Sequence, residues 1–196
     1  MRERPGPSSS RRAPRRDAVR NDAVVLQAAR EVFAEQGPQA SMESIAARAG
    51  LGVGTIYRRF PGKDALLDAI ARLFVDELDE ASAAALADPD PAAGLERFLD
   101  FVGAFNTEKR RYASLLAGRI GPDDEVSRRT FERIRQLTQK AVDAGHLAPD
   151  VTGDDIRALV AAIHAVVAAT PDEGGSAWRR FVRIHLAGLR ADRTEG

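Results

Sequence analysis

The chain contains no cysteine. Disulfide frameworks, thiolate zinc sites and thiol catalysis are therefore outside its chemistry. Histidine is scarce: His146, His164 and His185 are the full set, and they fall in no His-Glu-x-x-His or comparable ligand spacing. His164 and His185 sit on apolar stripes, where packing at a core or dimer interface explains them better than metal binding does. There is no Walker-type loop, no Gly-x-Ser-x-Gly elbow and no ordered Ser, His and Asp set. No catalytic residue, metal or cofactor is expected on that basis, and an enzyme finds no support. No apolar run reaches the roughly 18 residues of a membrane-spanning helix. The pairs Arg11-Arg12 and Arg15-Arg16 are followed by Asp17, Arg20, Asn21 and Asp22, not by the apolar stretch of an export signal. The expected location is the cytoplasm, away from membranes.

What is present is a 196-residue chain, 44% hydrophobic and 30% charged, long enough to bury a core. Its formal net charge is zero, which excludes a uniformly basic nucleic-acid wrapper and a disordered polyanion. That zero conceals a division. Residues 1–63 carry twelve basic side chains against six acidic ones, and the remaining 133 carry 17 against 23. A basic head on an acidic body points to a polyanionic partner for the first third, unless the head is a basic tail with no partner.

Residues 1–16, rich in Pro, Ser and Arg, read as a disordered basic arm. From about Asp17 the apolar positions Val25, Ala28, Ala29, Val32 and Phe33 follow helical spacing, which stops at Gly37-Pro38. Ser41 precedes a second short helix, and the crowded glycines Gly50, Gly52 and Gly54 a third, which Pro61-Gly62 breaks. Further amphipathic segments start near Lys63, Pro91, Thr107, Asp123, Asp154 and Ser176. Nothing alternates like a strand and no repeat recurs. The fold class expected is all-α with about nine helices, divided as 17–63 and 64–196. On the segment from Asp123, Glu125 and Arg129 stand four apart, as on a solvated helix face.

Residues 41–63 carry the functional argument. Ile45, Ala46 and Ala49 make one face of a short helix, and the small Ala46 permits a close crossing. Gly50 takes the left-handed conformation that ends a helix abruptly, and Leu51 and Ile56 fill the space between helices. Two short helices joined by a tight turn form a helix-turn-helix. The second helix presents Thr55, Tyr57, Arg58 and Arg59, side chains suited to a DNA major groove. Lys63, at the start of the following helix, is placed for a phosphate. An ordinary helical hairpin with a solvated basic face fits the same geometry.

The run Ser41, Ile45-Ala46, Ala49-Gly50-Leu51, Gly54-Thr55-Ile56-Tyr57, Arg59-Phe60 and Lys63 resembles the N-terminal domain of the tetracycline-repressor (TetR) family of bacterial transcription regulators. Ala28-Ala29, Phe33 and Gly37 resemble that family's first helix, so the likeness covers about residues 20–67. Gly52 stands where a capping Ser is common, and Arg59 where His is frequent. The resemblance implies contact with double-stranded operator DNA through Ser41, Gly54, Thr55, Tyr57, Arg58, Arg59 and Lys63. It also implies a homodimer on a near-palindromic operator, with a C-terminal domain whose pocket admits a small-molecule effector that releases the DNA.

The candidate lining residues are Phe98, Val102, Phe105, Tyr112, Leu116 and Ile134, placed among the segments starting near Lys63, Pro91, Thr107 and Asp123. They are apolar apart from one phenol, which suits a neutral or weakly anionic hydrophobic ligand. The broad apolar stripes of the last two helices, about 154–169 and 176–190, are the expected dimer surface, through Ile163, Val166, Val167, Phe181, His185 and Leu186. The alternatives are a helix-turn-helix regulator controlled by a protein partner, with a filled C-terminal core, and an enzyme or carrier whose basic head is incidental.

Overall fold

The computed structural model describes residues 13–119, 121, 124–170 and 174–190, with side chains from residue 21 onward. Among these there are nine α-helices and two 3-10 turns, and no strand. The helices are α1 (Ala13–Gln36), α2 (Met42–Ala49), α3 (Val53–Arg59), α4 (Lys63–Leu86), α5 (Pro91–Lys109), α6 (Ala113–Leu116), α7 (Glu125–Asp143), α8 (Gly153–Ala169) and α9 (Ser176–Gly188). The chain divides into two compact units, one up to Ala69 and one from Ile70.

Two expected boundaries shift. Helix α1 includes Ala13 to Arg16, so residues 13–16 are helical backbone and not arm. Residues 1–12, with Arg11 and Arg12, lie outside the described residues, as do the side chains of Arg15 and Arg16. The second boundary falls inside α4, after Ala69, and not at residue 63. The buried Leu66 and Leu67 and the anchored Lys63 keep the first turns of α4 with the first unit.

In the first unit, the stripe Val25, Ala28, Ala29, Val32 and Phe33 is buried, together with Ile45, Ala46 and Ile56. Ser41 caps α2, its Oγ accepting the Ser44 amide at 3.1 Å. Gly50 ends α2 at φ +67°, and its amide and that of Leu51 close on the last carbonyls of the helix.

In the second unit α5, α7 and α8 carry local side-chain caps. Asp90 accepts from Ala92 and Ala93 ahead of α5, Asp124 accepts from Ser127 ahead of α7, and Thr152 with Asp155 forms a capping box on α8. The core draws Leu95, Phe98, Leu99 and Val102 from α5, Ile134 and Leu137 from α7, Ile156 and Ile163 from α8, and Trp178 and Val182 from α9. Helices α5 and α9 meet at Gly103, where a Cβ would land inside the Trp178 ring.

The segment expected from Thr107 is different in kind. Helix α5 runs on through Lys109, and only a 3-10 turn (Arg110–Tyr112) and the four-residue α6 follow. Phe105 and Tyr112 are buried against Phe74, with ring centroids 4.8 and 6.3 Å away. The Lys109 ammonium lies over the Phe105 and Phe74 rings at 4.1 and 5.4 Å. Burial there pushes its pKa down to about 8, against the opposing pull of Glu77 and Glu108.

Candidate functional site

Helix α3 buries Ile56 and turns Val53, Thr55, Tyr57, Arg58 and Arg59 outward. Tyr57 is 44% exposed, a large fraction for an aromatic side chain in a close-packed domain. The sequence reading missed Val53, which lies one turn before Tyr57 and is 36% exposed. The signal was its i, i+4 spacing from Tyr57, which puts an apolar group on the outward face, suited to thymine methyls. Gly54 has open space where a Cβ would stand, so it leaves the face of α3 low there. Gly52 caps α3 without any side-chain bond.

The basic groups differ in what they are bonded to. Arg59 grips the Asp22 carboxylate of α1, with Nε 3.0 and 2.8 Å from its two oxygens and Nη2 2.8 Å from one of them. Arg48 bridges Glu31 and Glu35 of α1 at 3.0 and 2.7 Å. In both cases hydrogen bonds to the carboxylates, reinforced by charge, raise an already high arginine pKa. These two cations fasten α3 and α2 to α1. Among the described residues Arg58 bonds its own helix, through the Gly54 carbonyl at 3.2 Å and Thr55 Oγ1 at 3.3 Å, contacts that a base edge or phosphate can replace. Lys63 Nζ donates to the Pro38 carbonyl at 2.5 Å and lies 5.5 Å from the Phe33 ring centre. Ser41 uses its oxygen as the α2 cap, with its hydroxyl turned to Ser44 Oγ at 3.1 Å.

The second unit holds a cavity of about 90 Å³ between α4, α5, α7 and α8. Val75, Leu78, Phe98, Ile134 and Val160 wall it, Ser127 and Thr130 add hydroxyls, and Phe131 and Arg157 complete the lining. Of the six lining residues expected from sequence, the structure brings Phe98 and Ile134 here. Val102, Phe105 and Tyr112 are buried elsewhere in the packing, and Leu116 is half-buried on α6, outside this lining. The wall expected from the Thr107 segment is supplied by α8, because α6 is too short to reach along the bundle.

Residues 25–70 match the family described as "Bacterial regulatory proteins, tetR family", and residues 90–191 match "Transcriptional regulator SbtR-like, C-terminal domain". The chain belongs to the TetR family of transcriptional regulators.

Among solved structures it is similar to a TetR regulator of Streptomyces coelicolor, at 30% identity and a TM-score of 0.69, covering 87% of this chain and 99% of that one. A TetR regulator of Mycobacterium vanbaalenii is similar at 29% identity and a TM-score of 0.70, covering 91% and 99%. An HTH-type transcriptional repressor of Mycobacterium tuberculosis is 40% identical over 79 residues. That match spans 40% of the relative's own length. TetR proteins are DNA-binding regulators and not enzymes, and they bind operators and act as dimers. Among the described residues no helix is long and apolar enough to cross a membrane.

The expected dimer residues divide in this TetR protein. Ile163, Val167 and Leu186 belong to its own core, at 0%, 5% and 7% exposure, so they are not free to meet a partner. Val166 and Phe181 are partly buried, and His185 is exposed with Nδ1 2.8 Å from the Phe181 carbonyl. The open apolar face of α8 and α9 is formed instead by Ala158, Ala162, Phe181, Ile184 and His185. Ile184, half exposed, went unnamed in the sequence reading, since a helix with apolar residues on two faces does not say which one the monomer covers. His164 bonds Asn106 across α8 and α5 at 3.1 Å.

Proposed function

We propose that this TetR regulator is a cytoplasmic homodimeric repressor of a near-palindromic operator, released when a small apolar ligand occupies the α4–α5–α7–α8 cavity. Thr55, Tyr57 and Arg58 read the major groove, with Gly54 admitting close approach. Ser41 and Lys63 meet phosphates once the ammonium exchanges the Pro38 carbonyl for an anion. Arg59 contributes through its clasp on α1.

The observation that carries ligand control is the cavity itself. Protein interiors are close-packed, and this open-mouthed space leaves apolar side chains without the packing partners that an occupant supplies. The space is also well above the 10–15 Å³, roughly, that one water requires. A regulator controlled only through a protein partner has no need of the space. Release requires only that the ligand favour the DNA-incompetent state, and tenfold weaker operator binding corresponds to about 1.4 kcal/mol of coupling.

The test uses fluorescence anisotropy with duplexes from upstream of the protein's own gene. The wild type should bind one segment in preference to others and lose it on addition of a cell metabolite extract. Val160→Trp, which fills the cavity, should keep the operator and lose the response. A response that survives in this variant places control outside the cavity, in favour of a protein partner or another site.

A further inference from the structure

The cavity is almost wholly apolar inside, and its charged group stands exposed at the mouth. Its walls are aliphatic and aromatic, and among its lining residues there is no carboxylate. The two hydroxyls are already engaged. Thr130 Oγ1 lies 3.0 Å from the Val126 carbonyl and 3.2 Å from Asp79, and Ser127 Oγ lies 3.2 Å from Asp124. Each has a single proton, directed at those acceptors. Arg157 is the charged group of the lining. Its guanidinium has five N–H donors, and among the described residues it makes an exposed pairing with Asp154, one turn earlier, at 3.2 Å. Asp154 is 83% exposed, so it competes weakly against a ligand held in place. Phe131, beside the same opening, is 41% exposed and gives the mouth an aromatic edge.

Resting on the reading of this cavity as the effector site, we propose that its ligand is a small monocarboxylate. The compact apolar body enters the chamber past Phe131, and the carboxylate stays at the mouth in a forked pair with Arg157. The size limit follows from the volume. At about 90 Å³ the space is smaller than the roughly 150 Å³ that holds benzene, so it suits a short branched chain or a single ring seated partly in the open mouth, not a long acyl tail or a fused ring system. The charge assignment follows from the donor set. A neutral ligand leaves Arg157 with its exposed partner, and a cation meets like charge. An anion gains charge-assisted, bidentate hydrogen bonds without placing its charge in the apolar chamber.

The experiment compares benzoate, benzamide and benzylamine, which share one ring and differ in head-group charge. Calorimetry on the full-length protein gives affinity, and anisotropy with the operator duplex gives release. Benzoate should bind at least about tenfold more tightly than benzamide, and benzylamine most weakly of the three. Arg157→Gln should erase the preference for benzoate while leaving benzamide affinity unchanged, and Arg157→Lys should restore part of it. The Arg157 side chain is 59% exposed, so these variants should fold, which circular dichroism checks. Benzamide binding as tightly as benzoate, or a preference that persists in Arg157→Gln, overturns the carboxylate assignment and leaves ligand control standing. No binding of benzoate at millimolar concentration overturns it as well. Arg157-dependent binding of benzoate that leaves the operator complex intact supports the carboxylate site and overturns its role in release.

Discussion

Arg59 and Asp22 are joined by contacts of 2.8–3.0 Å, so one of the cations counted in the reading head is neutralised within the protein. Arg48 is likewise neutralised, by Glu31 and Glu35. The charge offered to DNA along α3 and the start of α4 is therefore mainly that of Arg58 and Lys63. Salt dependence tests this, because each phosphate neutralised contributes about 0.9 to the slope of log K against log salt. Lys63→Ala should lower that slope by about one per subunit and weaken all sequences alike. Asp22→Asn frees Arg59 and should do the reverse, with a steeper slope and tighter binding to non-specific duplex. Anisotropy titrations across a range of salt concentrations check both. An unchanged slope in Asp22→Asn would show that Arg59 already contacts phosphate in the complex. The outward residues of α3 were legible in the sequence, because Ile56 fixes the buried side and Thr55, Tyr57 and Arg58 follow from helical geometry. The Asp22 partnership was not legible. It joins residues 37 positions apart, and nothing local to either marks the pair.

Asp79 of α4 gathers several side chains of α7. Asp79 receives Arg129 at 2.8 and 3.1 Å, Arg133 at 2.6 Å, and sits 3.2 Å from the Thr130 hydroxyl. The hydrogen bond from Arg129, with that from Arg133 and the charge of both, holds its pKa down to about 2 against the opposing effect of burial. Arg129 stands half exposed on the solvated face that its spacing from Glu125 suggested, and from there it also makes a helix-to-helix contact. A depressed carboxylate stabilises the fold above its unfolded pKa, about 3.9, and that contribution disappears as pH falls towards 2. Asp79→Asn should cost on the order of 2 kcal/mol at neutral pH, the scale of hydrogen bonds to charged groups. Urea denaturation at stepped pH should show the gap between wild type and variant narrowing below about pH 4. A gap constant down to pH 2.5, roughly, would assign the loss to shape and not to charge. Element positions were readable from local signals such as Ser41 and Gly50, which act within a turn of their helix, whereas the Thr152 cap of α8 went unread. The approach of α5 to α9 was not readable, since Gly103 matters only because Trp178, far along the chain, lies against it.

At the scale of the whole molecule, we propose that the exposed apolar face of α8 and α9 receives a second copy. Ala158 and Ala162 are small enough for a partner helix to approach closely, and Phe181, Ile184 and His185 supply the area to bury. Two reading heads about 34–36 Å apart are required to engage successive major grooves of a palindrome, and one chain carries a single head. Linking two heads through a stable dimer makes the second contact intramolecular, so losing the dimer costs far more than half of the operator affinity. The burial pattern separates two variants that look equivalent in sequence. Leu186 points into its own chain's core at 7% exposure, and Leu186→Arg buries an unpaired charge and should cost several kcal/mol of stability in the isolated subunit. Ile184 is 50% exposed, and Ile184→Arg should leave the subunit's fold intact while placing two like charges across the dimer axis. Sedimentation should show Ile184→Arg as a monomer with unchanged helical content. Anisotropy should show its palindromic-operator affinity reduced to the level of a single half-site. If Ile184→Arg sediments as a dimer and binds the operator normally, the face formed by α8 and α9 is not the dimer surface. The heads must then be paired through another part of the protein.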